Sequence, residues 1–166
     1  MKTLLQSLFA LALTAALALP ICAEPKHIYP APEQAPADIS AALLKARNTH
    51  RRILLDFGGD WCGDCQLLDI YLHQPENLKL LDAHFLLVHI NIGHTDKNLE
   101  LAEQYGIPLK KGVPALAVLD SRGRLLYSQR NGEFEAMRSM DPTSVRQFLV
   151  TWGTPRGDCS AVYINC

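Results

Sequence analysis

Two cysteines held two residues apart, Cys62-Gly63-Asp64-Cys65, carry the chemistry that stands out in this sequence. The apolar run Ile53-Leu54-Leu55 precedes them and reads as a strand, and the helix-compatible run Gln66-Leu67-Leu68-Asp69-Ile70-Tyr71-Leu72 follows. Strand, cysteine pair, helix is an order with a physical consequence. It sets Cys62 at a helix N-terminus, where unpaired N–H groups and the helix dipole favour an anion. The thiolate is the reactive form of cysteine, so this position activates Cys62 as a nucleophile. Cys65, one turn further in on the same face, is close enough to form a disulfide with it and to act as the resolving thiol. The pair reads as a redox-active dithiol. A lone C-x-x-C is also half of a zinc site, but no second pair and no closely spaced histidines accompany it, so neither metal nor cofactor is expected.

The strand leading to the pair is apolar except for Asp56. An ionisable group in such a strand is costly unless it is paired or used. One reading points it to a wet edge; the other makes it a proton carrier for the dithiol.

The residues Ile53 to Cys65, ILLDFGGDWCGDC, resemble the active-site strand and turn of thioredoxin-fold proteins. Two further stretches are similar to that family in the order it requires. Val88-His89-Ile90-Asn91-Ile92 resembles its central strand. Tyr105-Gly106-Ile107, followed by Gly112-Val113-Pro114-Ala115, resembles the loop that carries its cis-proline. The resemblance spans roughly 39 to 152. It implies an α/β thioredoxin fold, a central mixed β-sheet flanked by helices on both faces. It further implies that Cys62 and Cys65 form the redox-active disulfide and that Asp56 is the buried acid beneath it. Such an acid, its charged form disfavoured by burial, exchanges the proton of Cys65 through water. By the same resemblance Trp61, Val113 and Pro114 line the substrate-binding face, where the backbone of Val113 pairs with an extended substrate strand. His89 occupies the place of a lysine that usually partners the acid; it could do similar work with a charge that changes near neutral pH, and a hydrogen-bonded core histidine is an equal alternative. Some positions depart from the pattern. Gly63-Asp64 replaces Gly-Pro, Ala115 replaces a threonine, the loop around Lys110-Lys111 is longer, and Gly58 stands where a tryptophan would cover the floor of the site.

The rest of the 166-residue chain supplies the supports. Met1-Lys2 followed by an apolar stretch from Leu8 to Leu19 reads as a secretory signal peptide, residues 1–23, cleaved near Ala23. Cys22 as a lipid anchor is the lesser alternative, because bulky Ile21 precedes it. Export, periplasmic or secreted, makes the compartment oxidising. The mature chain keeps Cys62, Cys65, Cys159 and Cys166, and sequence proximity favours Cys62–Cys65 plus a structural Cys159–Cys166 bridge among three possible pairings. Residues 24–38, rich in proline, are expected to be an extended mobile lead-in. The thioredoxin-like domain takes 39–153 and a cysteine-containing tail 154–166. Helices are expected from Ser40 to Arg47, from Glu76 after a break at Pro75, from Lys97 to Tyr105, and from Asp141-Pro142 to about Trp152. A hairpin is expected across Asp120-Ser121-Arg122-Gly123. His94 reads as a solvated loop histidine.

A formal charge of -1 gives no electrostatic reason for nucleic acid. The expected function is an exported thiol–disulfide oxidoreductase exchanging disulfides with protein substrates, in the reducing direction, recharged by a membrane-embedded electron donor and acting as a monomer. Asp60 and Asp64 flank the nucleophile, and their charge is expected to disfavour the thiolate and lower the potential. The alternatives are a disulfide oxidase or isomerase and, less favoured, a copper-binding protein of the same fold.

Overall fold

The computed structural model describes residues 27–153. The strand expected at Ile53 to Phe57 is β1, Arg52–Gly58, and it forms the axis of the sheet. It pairs in parallel with β2, Phe85–Asn91, on one side and antiparallel with β3, Ala115–Leu119, on the other. The hairpin partner β4, Leu125–Ser128, completes the order β2-β1-β3-β4. A sheet of mixed direction follows from this connectivity. β1 reaches β2 through two helices, as a parallel crossover requires, whereas β3 reaches β4 through the tight turn at Asp120 to Gly123.

The alternation of β1 then assigns its side chains to two layers. Ile53, Leu55 and Phe57 pack on one face with Ala42 and Ala46 of α1, Ala35–Thr49, and with Ala102 of α4, Leu99–Gln104. Leu54 packs on the other face with Leu68 and Leu72 of α2, Gly63–Leu72, Leu81 of α3, Pro75–His84, and Phe148 and Leu149 of α5, Thr143–Gly153. Asp56 shares the parity of Leu54 and therefore faces α2, the helix that carries the cysteines. Such a strand, covered on both faces, has no wet side for a carboxylate to reach.

The break between α2 and α3 lies where Pro75 removes an N–H donor, and Pro75 opens the new helix in its first turn. Asp141 caps α5 through its side chain, accepting from the N–H of Thr143 at 2.8 Å.

Two expectations change. The first helix begins at Ala35, not near Ser40, because Pro36 sits in the first turn where proline is tolerated. The lead-in is not free from residue 27 onward, because the domain ties it down by side-chain hydrogen bonds. Asn91 Nδ2 donates to the Pro30 carbonyl at 2.9 Å, and Asn98 Nδ2 to the Pro32 carbonyl at 2.9 Å. The signal peptide 1–23 and the tail with Cys159 and Cys166 lie outside the described residues. Among the described residues no helix is long and apolar enough to cross a membrane.

Candidate functional site

Cys62 is the N-cap of α2, and its sulfur accepts the backbone N–H of Cys65 at 3.1 Å. This places the first sulfur among the unpaired amides of the helix start, as the order of strand, pair and helix requires. Cys62 and Cys65 are joined by a disulfide with Cα atoms 5.2 Å apart. Cys65 is fully buried and Cys62 keeps 6% of its surface, so the accessible edge of the pair belongs to Cys62. The Val113–Pro114 peptide is cis, and the Val113 carbonyl oxygen lies 3.5 Å from Cys62 Sγ. The two halves of the site, 51 residues apart in the chain, meet here.

A group not singled out in the sequence fixes the cis-proline segment. Gln129, 1% exposed, donates from Nε2 to the Pro114 carbonyl at 3.0 Å and accepts at Oε1 from the Leu116 N–H at 3.2 Å. One carboxamide satisfies two buried backbone groups that the turn into β3 would otherwise leave unpaired.

Trp61 is half-exposed beside Cys62. Its indole N–H donates to the Gly93 carbonyl and its ring stacks on His94, centroids 5.7 Å apart. The loop histidine thus supports an aromatic face at the rim of the site.

Below the disulfide, Asp56 has no solvent exposure. Its Oδ2 accepts from the Tyr29 hydroxyl at 2.8 Å, and His89 Nδ1 lies 2.9 Å from the same oxygen. His89 and Asp56 are register partners across β1 and β2, so the pairing is built into the sheet. Oδ1 is buried and has no hydrogen-bond partner among the described residues. His89 Nε2 in turn stands 4.0 Å from Oδ1 of Asp69, a second buried acid on α2.

Tyr29 reaches this place because Gly58 has no side chain. A Cβ on Gly58 would lie 2.5 Å from the Tyr29 hydroxyl oxygen and 2.8 Å from Cys65 Sγ. The floor that Gly58 was expected to leave uncovered is covered, by a residue of the lead-in. Burial, and then the Asp56 carboxylate beside it, push the Tyr29 phenol well above the usual tyrosine range, so it remains a donor.

The two aspartates flanking the pair are not bare charges. Burial would raise the Asp60 carboxyl, but the N–H groups of Ile28 and Tyr29 and the ring of His27 outweigh it and hold the acid below its usual range. Arg138 grips Asp64 through Nε at 3.1 Å and Nη2 at 2.7 Å, holding that carboxyl low against a smaller opposing effect of burial. The two charges expected to weigh on the thiolate thus have partners of their own, Asp64 a guanidinium and Asp60 the N–H groups of the lead-in.

A sulfur at a helix start, a second sulfur buried behind it, a cis-proline carbonyl 3.5 Å from the first and a buried acid on the adjoining strand are an arrangement suited to thiol–disulfide exchange. Residues 33–121 match the thioredoxin-like family model. The chain belongs to the thioredoxin-like family. Its fold is similar to that of a disulphide isomerase from Xylella fastidiosa, 35% identical, covering 76% of this chain and 96% of that one with a TM-score of 0.72. Among curated relatives it is similar to the thiol:disulfide interchange protein DsbD of Pseudomonas fluorescens, 31% identical over 106 residues, 62% of this chain and 18% of that protein. The DsbD of Photorhabdus laumondii is 26% identical over 97 residues, 57% of this chain and 16% of the relative. The chain thus spans less than a fifth of the length of these relatives. It is a thioredoxin-like oxidoreductase by family and by its cysteine pair.

Proposed function

We propose that the protein is an exported thiol–disulfide oxidoreductase that reduces disulfides in protein substrates. The observation that carries this reading is the Cys62–Cys65 disulfide at the start of α2, with the Val113 carbonyl 3.5 Å from Cys62 Sγ. In the reduced enzyme the Cys62 thiolate attacks a substrate disulfide, one substrate sulfur leaves as thiolate, and a mixed disulfide remains. Cys65 then loses its proton to Asp56 and attacks Cys62 Sγ. The second substrate thiolate leaves, and two electrons have passed from the dithiol to the substrate. Trp61, Val113 and Pro114 form the face on which the substrate strand lies. A signal peptide over 1–23 directs export, and a membrane-embedded dithiol donor restores the pair, since an oxidising compartment would not.

The similarity to the Xylella disulphide isomerase favours a second reading, isomerisation, in which the mixed disulfide is returned to the substrate and not resolved by Cys65. Trapping separates the roles. Cys65→Ser should accumulate mixed disulfides with substrate proteins and Cys62→Ser none; the opposite pattern would sink the assignment of nucleophile and resolver. For direction, the measured potential of the pair is expected well below the about -120 mV of a strong oxidant. A value near that, with a pair found oxidised in cells, would make the protein an oxidase.

A further inference from the structure

Residues 27–30 form a short strap beside the site. Asp60 Oδ1 accepts the N–H of Ile28 at 2.8 Å and of Tyr29 at 3.1 Å, and Oδ2 lies 3.0 Å from His27 Nδ1. Both backbone donors precede the domain in sequence, so Asp60 fixes the strap beside the nucleophile. From this anchor the Tyr29 side chain descends, 4% exposed, into one buried cluster with Cys62 and Cys65. Its ring meets His89 edge-on at 5.1 Å.

We infer that Tyr29 is a positioning residue for the exchange reaction, its hydroxyl fixing the Asp56 carboxylate so that one oxygen is engaged and the other accepts the proton of Cys65. Both neighbours of Asp56, the Tyr29 hydroxyl and His89 Nδ1, meet Oδ2, and Oδ1 alone is left without a partner among the described residues. A carboxylate oxygen buried without a partner is costly, and proton acceptance is a use that this arrangement serves. The phenol belongs to the strap, not to the thioredoxin-like core, and it occupies the space that Gly58 leaves. In the resolving step the Cys65 S–H bond breaks and its proton moves to Asp56 Oδ1. The Cys65–Cys62 bond then forms as the bond from Cys62 to substrate breaks, and the departing substrate thiolate keeps the electron pair. Tyr29 from the strap and His89 from β2 meet this carboxylate, with Asp69 behind His89, and the Tyr29 hydroxyl and Cys65 Sγ of α2 both border the space over Gly58.

The inference rests on the exchange reading, and the test separates the two. Tyr29→Phe keeps the ring and removes only the hydroxyl. Two rates are measured by single turnover on a disulfide-bonded protein: attack by Cys62, in the Cys65→Ser background, and resolution by Cys65. Tyr29→Phe is expected to leave attack unchanged and to slow resolution about tenfold at neutral pH, the cost of one hydrogen bond to a charged group. In the Asp56→Asn background the same substitution should slow resolution no further. Resolution at the wild-type rate in Tyr29→Phe, or losses that multiply with Asp56→Asn, would overturn the role of Tyr29. Absence of any mixed disulfide in Cys65→Ser would instead overturn the exchange reading itself.

Discussion

Gly58→Ala is the substitution through which strap, sheet and dithiol report on one another. Gly58 is not among the residues with positive φ, so alanine is free to adopt its backbone conformation and the effect is steric. The added Cβ would stand 2.5 Å from the Tyr29 hydroxyl oxygen, 2.8 Å from Tyr29 Cζ and 2.8 Å from Cys65 Sγ. Carbon contacts in a packed interior are about 3.5–4.0 Å, so both neighbours must move or the strand must. Neither is the loose end of a flexible chain. Tyr29 is pinned at its backbone by Asp60 and at its hydroxyl by Asp56, and Cys65 is held by α2 and by the disulfide.

Overpacking of this kind costs about 1–3 kcal/mol, reduced by about 0.5–1 kcal/mol of backbone entropy that alanine removes from the unfolded chain. A net loss of about 1–2 kcal/mol should lower the melting temperature by about 3–8 °C in a domain of this size. Gly63→Ala is the control for stability, because a Cβ there would meet nothing within 4 Å. Combining Gly58→Ala with Tyr29→Phe removes the nearest clash while the Cζ and Sγ contacts stay. The double variant should therefore recover part of the loss, a coupling of about 0.5 kcal/mol or more. Thermal melts of the four oxidised proteins decide it. A Gly58→Ala protein as stable as wild type, or a double variant at the sum of the single losses, would refute the seating of Tyr29 over Gly58.

Arg138→Ala frees the Asp64 charge and should lower the potential of the cysteine pair by on the order of 10–30 mV, measured against a glutathione couple; an unchanged or higher potential would count against the compensation. Because the folded Asp64 carboxyl sits below its unfolded value, its stabilising contribution is present above roughly pH 4 and is lost as pH falls through the depressed value, so acid melts of wild type should drop more steeply below roughly pH 4 than those of Arg138→Ala. Cys159 and Cys166 are expected to be bridged in the mature protein. Peptide mapping without reductant should recover that link, which closes a loop of eight residues and contributes about 2.5 kcal/mol, and two free thiols would contradict it.

The elements that carry the dithiol were legible because their signals are local. An apolar run ending in glycine, a cysteine at the helix start and a proline after His73-Gln74 each act within a few residues, and the strands, the helix break and the turn at Asp120 stand where those signals put them. Asp56 was legible for the opposite reason, as a residue that local rules could not accommodate. Tyr29 was not. A tyrosine among prolines carries no periodicity, and only the three-dimensional closeness of the lead-in to β1 gives it a role. The one trace in the sequence was the missing side chain at Gly58, which marks a space without naming its occupant. Gln129 and Arg138 escaped for the same reason, since their partners Pro114 and Asp64 lie 15 and 74 residues away.

Charge near the nucleophile shows how far a local reading carries. Asp60 and Asp64 each stand two residues from Cys62 in the chain, and as bare carboxylates both would oppose a thiolate there. In the folded protein their charges are directed elsewhere, Asp60 toward the N–H groups and the histidine of the strap, Asp64 toward a guanidinium. What remains close to the sulfurs is the start of α2, whose amide from Cys65 reaches Cys62 Sγ at 3.1 Å and favours the thiolate. The helix start thus acts on Cys62 directly, while the acids beside it are bonded to other groups. Asp60 has acquired another function, because the bonds that draw off its charge are the ones that bring Tyr29 to Asp56. A single carboxylate next to Cys62 thus connects the outer strap to Asp56, and on the proposed proton route Asp60→Asn should slow resolution by Cys65 in single turnover before it slows attack by Cys62; an equal loss in both steps would refute it.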